Sequence, residues 1–281
     1  MQEAGGEMRD ADELSRGRIE EALGPGTLWR KVVYLPSVGS TNDVAKDLVA
    51  QGASEGTVVV ADVQTAGRGR MGRRWLAPPG ACLLCSLLFR PALSLTQANR
   101  LTMLCSLAAA DAVENVAGLR VALKWPNDLI IESRITNHKS RNWRKLAGIL
   151  TETGVMGKRL DFVVVGIGIN VNVLPEVLPN LAPGATSILA ETGQRVDRVA
   201  LLAALLAGVE RRYEALRAGA SPHQEWAARL ATLAQPVQAT TSAGVFTGVA
   251  ESVDEDGALL LRTPDGRLHQ LLAGDVTLAH P

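Results

Sequence analysis

Gly67-Arg68-Gly69-Arg70-Met71-Gly72-Arg73-Arg74-Trp75 gathers four arginines and three glycines into nine residues. A glycine inside a regular element costs about 0.5–1 kcal/mol relative to alanine, so the stretch suits neither a helix nor a strand. It suits a backbone that comes close to a ligand, with guanidinium groups able to pair bidentately with phosphate or carboxylate oxygens. A solvated basic turn has the same composition. The flanking chain has to decide between the two.

On the upstream side, residues 57–61 form a β-branched run that predicts a buried strand leading through Asp62 and Gln64 into the loop. On the downstream side Pro78-Pro79-Gly80 precedes residues 81–89, which are apolar and strand-like. A basic glycine loop is thus anchored at both ends by strands. Cys82 and Cys85 have C-x-x-C spacing, but residues three apart on a strand point to opposite faces. With no second pair nearby, they are expected to be buried structural thiols. Further upstream, residues 32–35 read as a strand bounded by Pro36. Ser40 and Asp43 then match an S-x-x-D capping pattern before the helical spacing of Val44, Ala45, Leu48 and Val49. The cap accounts for Ser40 by itself. It also leaves a helix N-terminus and hydroxyls that an anion would favour.

The rest of the chain sets the frame. Lys plus Arg and Asp plus Glu are equal at 29 each, so any basic function is local and the whole molecule has no general attraction for nucleic acid. No apolar run approaches the roughly 18–20 residues of a membrane span. Residues 1–26 hold seven acids, five glycines and one proline, without an apolar period. They predict a disordered tail and argue against a secretory leader. Three cysteines form no disulfide framework, and a reducing cytoplasm follows. A long helix is expected over 96–116, paired strands over 146–153 and 161–171, and a helix from Asp197 to about 218. From Pro236 short strands punctuated by Gly and Asp predict a small all-β unit.

Two further stretches carry chemistry. Lys124-Trp125-Pro126-Asn127-Asp128 sets a cation, a carboxamide and a carboxylate around a stiff turn. Asx hydrogen bonds explain it structurally, while nucleotide phosphates with Mg²⁺ explain it functionally. Lys145 opens the apolar strand Leu146-Ala147-Gly148-Ile149-Leu150, which would hold its ammonium rigidly. A Walker-type phosphate loop is excluded, because Gly72 is followed by Arg73-Arg74 instead of Lys-Ser/Thr. A dinucleotide fingerprint is poor, because Gly166-Ile167-Gly168 lacks the third glycine and Pro175 stands where a helix should open. Those glycines are expected to let a backbone or ligand lie against the strand.

Ser40-Thr41-Asn42, Gln64 with Gly67–Gly72 and Trp75, Lys124–Asp128, Lys145–Leu150 and Gly166–Asn170 together resemble, in order and spacing, the successive motifs of bacterial biotin protein ligases. The likeness runs from about residue 32 to the end. Lipoate ligases share the fold, but their Arg-Arg-x-x-Gly-Gly-Gly motif is absent. The resemblance implies an α+β fold: a central mixed or antiparallel sheet flanked by helices, of the class II synthetase type, with a small C-terminal SH3-like β-barrel. Its domains would be a disordered tail (1–28), a biotin- and ATP-binding ligase domain (29–234) and the barrel (235–281). About 30 residues ahead of the motifs are too few for a DNA-binding helix-turn-helix, so no repressor role is expected.

The same resemblance implies roles. Ser40, Thr41, Asn42 and Gln64 would form the polar end of the biotin pocket, and Trp75, Gly148 and Leu150 its apolar part. Gly67, Arg68, Gly69 and Arg70 would close over biotin and the adenylate, the free loop being loose. Arg70, Arg73, Lys124, Asn127, Asp128 and Asn170 would serve ATP, with Asp128 on Mg²⁺. Lys145 and Arg70 would be catalytic, Lys145 contacting both the biotin carboxylate and the α-phosphate. The implied partner is the biotin carboxyl carrier domain of acetyl-CoA carboxylase or a related carboxylase, with no nucleic acid, no membrane, and a monomer or weak homodimer. The basic 132–144 stretch is either a tolerated insertion or a steering surface for an acidic carrier. A lipoate-type ligase and a catalytically degenerate adaptor are the competing readings.

Overall fold

In a computed structural model the chain is described over residues 13–132, 143–157 and 159–278. Most of the basic 132–144 stretch, and the first twelve residues of the expected tail, lie outside them.

Seven strands form the larger sheet: β1 (Lys31–Val38), β2 (Thr57–Gln64), β3 (Cys82–Phe89), β4 (Ala122–Lys124), β5 (Asp128–Glu132), β6 (Trp143–Met156) and β7 (Arg159–Asn170). Their spatial order is β1-β2-β3-β7-β6-β5-β4. β1 and β2 run parallel, as the intervening helix Thr41–Ala50 allows, and every other pair is antiparallel. β1 continues past Pro36 to Val38, because an edge strand tolerates a missing N–H.

β3 shows how the layers are made. All eight of its residues are buried. Leu83, Cys85, Leu87 and Phe89 join the main core, which the helices Asn99–Ala117 and Arg198–Arg217 cover. Cys82, Leu84 and Leu88 face the other way, into smaller clusters beneath the helix Thr41–Ala50 and the 173–190 segment. The C-x-x-C thiols therefore do point apart. All three cysteines are free, and burial raises Cys82 and Cys85 to about 12.

The tail expectation needs correction. Arg16–Leu23 is a helix, capped by Ser15, whose hydroxyl accepts from the Arg18 N–H. Leu14 and Ile19 are fully buried in the main core, and Arg18 reaches Asp197 at 3.2 Å. Of its eight residues only Ile19 is fully buried, with Leu23 packing partly against the core, so no sustained apolar period announces it.

The C-terminal unit is a five-stranded antiparallel sheet of β8 (Pro236–Thr241), β9 (Gly244–Val253), β10 (Leu259–Arg262), β11 (Leu268–Leu271) and β12 (Asp275–Leu278), ordered β11-β10-β9-β8-β12. Val237, Ala239, Ala250 and Leu259 continue the main core, so the two sheets share one apolar cluster. The joint is also hydrogen-bonded: Trp125 Nε1 donates to Gly257 O (2.9 Å), Asn99 Nδ2 donates to Asp256 O (3.1 Å), and Arg100 pairs with Asp256. Among the described residues no helix is long and apolar enough to cross a membrane.

Candidate active site

Strand register assembles the site. Directly paired residues of a sheet share a face, and two neighbouring rows on one face carry the motifs. One row runs Leu84, Gly168, Gly148, Asp128 and Lys124 across β3, β7, β6, β5 and β4. The next runs Val59, Ser86, Gly166 and Leu150. Three glycines thus sit together in the middle of one face and leave a shallow trough.

Two side chains fill that trough. A Cβ added at Gly168 would lie 2.7 Å from the Trp75 ring, and one at Gly148 would lie 3.1 Å from it. At Gly166 the added atom would meet Asn42 Oδ1 at 2.3 Å. The expectation that these glycines admit a backbone or ligand is therefore met by Trp75 and Asn42 instead. The indole Nε1 of Trp75 is buried with no hydrogen-bond partner, a costly condition for a donor.

Lys145 reaches this face because of a bulge. Leu129 pairs with Ala147, but Ile130 pairs with Lys145, so Leu146 is an extra residue in β6. Alternation alone would send Lys145 to the core side with Ala147 and Ile149; the bulge re-aims it. Its ammonium lies 2.7 Å from Asp128 Oδ1 and 5.7 Å from the centre of a Trp75 ring. Its backbone is held on both sides, the N–H donating to Gly184 O (2.8 Å) and the C=O accepting from Thr186 N (2.9 Å).

At the other end of the trough a polar network links four elements. Gln64 Oε1 accepts from the Thr41 N–H (2.8 Å) and from the Thr41 hydroxyl (3.1 Å). Gln64 thereby caps the helix Thr41–Ala50. Ser40 occupies the N-cap and is buried, but makes no side-chain cap bond, so the capping explanation of Ser40 fails and its hydroxyl is left for other use. Ser86, wholly buried, donates towards Thr41 Oγ1 (2.7 Å) and Asn42 Oδ1 (2.6 Å). Asn42 Nδ2 donates to Leu150 O (3.2 Å) and Glu152 Oε2 (2.7 Å).

The Gly/Arg stretch is a short two-stranded ribbon. Trp75 N donates to Gly67 O (2.9 Å), Gly69 N donates to Arg73 O (2.7 Å), and Arg68 bridges Arg74. The tip turns through Met71 and Gly72, both at positive φ (53° and 73°). Ala66 through Arg74, with Leu150 and Glu152, line a cavity of about 530 Å³. Arg68 pairs with Asp43 (2.7 Å) and Glu152 (2.9 Å), and Lys46 pairs with the same two carboxylates. Arg73 pairs with Asp275 of the C-terminal sheet. Arg70 makes no ion pair among the described residues. Burial lowers its pKa, and Asp128 and Asp275 act through space against that effect.

The expected residues thus divide. Gly67, Arg68, Gly69, Arg70, Arg73 and Leu150 line the cavity. Ser40, Thr41, Asn42 and Gln64 converge on one polar network, while Trp75, Gly148, Asp128 and Lys145 meet at its far side. Asn127 pins its turn to β6, donating to Ile149 O at 2.6 Å. Asn170 is buried and spends its amide on Thr186 O (2.9 Å), holding the segment that grips Lys145. The residues missed were Ser86, Glu152, Asp43 and Asp275. Ser86 had a signal: it is the one polar residue in CLLCSLLF.

Comparison with known proteins shows which family the chain resembles. Residues 34–170 match the Biotin/lipoate A/B protein ligase family, and residues 232–278 match the Biotin protein ligase C terminal domain. The chain is 35% identical over 268 residues to the bifunctional ligase/repressor BirA of Bacillus subtilis, covering 94% of this chain and 79% of that protein. It is 38% identical over 241 residues to the biotin--[acetyl-CoA-carboxylase] ligase of Paracoccus denitrificans, covering 83% and 95%. Among solved structures it resembles the biotin protein ligase from Aquifex aeolicus in complex with biotin and ATP, with a TM-score of 0.71, 28% identity, and coverage of 90% and 100%.

Proposed function

The chain belongs to the biotin protein ligase family, and from that premise we propose that it activates biotin with ATP and passes it to a lysine on a carboxylase's carrier domain. In the first step a biotin carboxylate oxygen attacks the α-phosphorus, and the bond to the β-phosphate oxygen breaks. The products are biotinyl-5′-AMP and pyrophosphate. In the second, the neutral amine of the carrier lysine attacks the acyl carbon, losing a proton as AMP departs.

Both steps gather negative charge on oxygens, so fixed cations matter more than covalent help. The observation that carries the proposal is the Lys145–Asp128 pair at 2.7 Å beside the glycine trough, with Arg70 unpaired among the described residues and close enough to feel Asp128. Lys145 is assigned to the biotin carboxylate and the α-phosphate, and Arg70 to the phosphate as the loop closes. Ser40, Thr41, Asn42 and Gln64 are assigned to the polar head of biotin, and Trp75, Gly148 and Leu150 to its apolar part. Gly67, Arg68 and Gly69 form the closing backbone. Lys124, Asn127 and Asp128 are assigned to the nucleotide, with Arg73 and Asn170 in supporting positions.

Mg²⁺ fits here only as an ion brought with the nucleotide. Among the described residues no three His, Cys, Asp or Glu side chains group to hold a metal, and Mg²⁺ accepts one carboxylate with phosphate oxygens and water. Asp128 would be that carboxylate, and the ion would neutralise the departing pyrophosphate.

The match of residues 232–278 to the biotin protein ligase C-terminal domain favours biotin over lipoate. Free buried thiols support a cytoplasmic setting. The test is pyrophosphate release that requires biotin and ATP, followed by label transfer to a biotin carrier domain. Equal turnover with lipoate, or none with either acid, overturns the proposal.

A further inference from the structure

We propose that Glu152 and Asp275 are positioning residues for the closing loop, two carboxylates from two different sheets that hold Arg68 and Arg73 and leave Arg70 as the loop's available cation. The ribbon has little to hold it otherwise. Trp75 seats the base of the ribbon in the glycine trough, but the tip residue Met71 is 61% exposed, so no apolar contact anchors the tip, and a two-stranded ribbon is marginal in water. The anchors are ionic and lie on opposite flanks. On one, Glu152 accepts from Arg68, Asn42 and Lys46, with Asp43 completing the group. On the other, Asp275 of β12 takes Arg73. Arg74 is tied to Thr65 O at 3.4 Å. Of the loop's four arginines, only Arg70 has no such tie among the described residues.

The pairing also sets the charge of the cavity. Arg68, Arg70, Arg73 and Arg74 all line it, yet Arg68 and Arg73 are neutralised locally. Arg70 can therefore take an incoming phosphate without displacing a carboxylate, as Arg68 and Arg73 would have to, or the Thr65 carbonyl that holds Arg74. That the ligand is an acyl phosphate rests on the function proposed above, whereas the two-flank hold does not.

The test is hydrogen exchange at the amides of residues 67–75 in the ligand-free full chain. Glu152→Gln and Asp275→Asn should each quicken exchange there by about two- to fivefold, the range that loss of a partly exposed ion pair commands. Exchange elsewhere in the seven-stranded sheet should not change. The double charge reversal Arg73→Asp with Asp275→Arg should bring loop exchange back towards the wild-type rate. With biotin and ATP, each single variant should raise KM for ATP more than it lowers kcat, and Asp275→Glu should recover most of the loss. Should Asp275→Asn loosen the whole C-terminal sheet, Arg73→Gln removes the same bond from an exposed side chain. Unchanged loop exchange in Glu152→Gln and in Arg73→Gln overturns the proposal. Because exchange is measured without substrate, it decides the matter even if no pyrophosphate release is found.

Discussion

Taking away the Lys145 ammonium leaves a half-buried Asp128 carboxylate without its partner and the developing phosphate charge without a fixed counter-ion. Lys145→Ala should slow adenylate formation by about 10²- to 10³-fold, the usual cost of a lost transition-state donor, while biotin binding, followed by calorimetry, weakens but persists. Near-normal adenylation by that variant would remove Lys145 from the mechanism. Gly168→Ala tests the trough: with a methyl 2.7 Å from the indole, Trp75 must shift. Such overpacking costs about 1–3 kcal/mol, measurable in urea titration alongside weaker biotin binding. At this scale the sequence was readable where residue type carried the message, as in the arginines, the glycines and Lys145. It was not readable where geometry carried it. Nothing in the sequence showed that Leu146 is an extra residue turning Lys145 to the site face, or that Gln64 displaces Ser40 as the helix cap.

The helix Arg16–Leu23 escaped sequence reading because seven of its eight residues escape full burial, so its contribution rests on Ile19 and the preceding Leu14. Ile19→Ala should cost about 2–4 kcal/mol if the site does not collapse, read as a lowered denaturation midpoint; an unchanged midpoint would return the segment to a tail. The closing ribbon responds to pH. Burial works to raise Glu152 and Asp43, but Lys46 and Arg68 outweigh it and hold both carboxyls low, with the Asn42 hydrogen bond adding to the effect at Glu152. A depressed folded-state pKa stabilises fully above the ordinary carboxylate range and is lost as pH falls through the depressed value. Loop exchange, corrected for its intrinsic rate, should therefore be flat near neutrality and rise below about pH 4. Glu152→Gln should blunt that rise, and an equal rise in both proteins would assign it elsewhere.

At the scale of the whole molecule, the C-terminal strands were legible because turn residues punctuate them, and the family resemblance implied a mixed central sheet flanked by helices but not its strand order. How the two sheets dock was not legible, since the joint is built largely on main-chain carbonyls, Gly257 O, Asp256 O and Val253 O among them, and these carry no residue-type signature. Trp125→Phe keeps the packing but orphans Gly257 O. It should cost about 1–3 kcal/mol and raise KM for ATP, because Trp125 belongs to the turn bearing Asp128; a change confined to stability would separate the joint from the site. The Arg73–Asp275 bond spans 202 positions of the chain. During synthesis the arginine loop emerges long before its carboxylate partner, and domains fold in the order they emerge. A nascent ligase sheet can thus be complete while its loop still lacks one of its two anchors, which delays competent substrate capture until the last strand of the second sheet has left the ribosome.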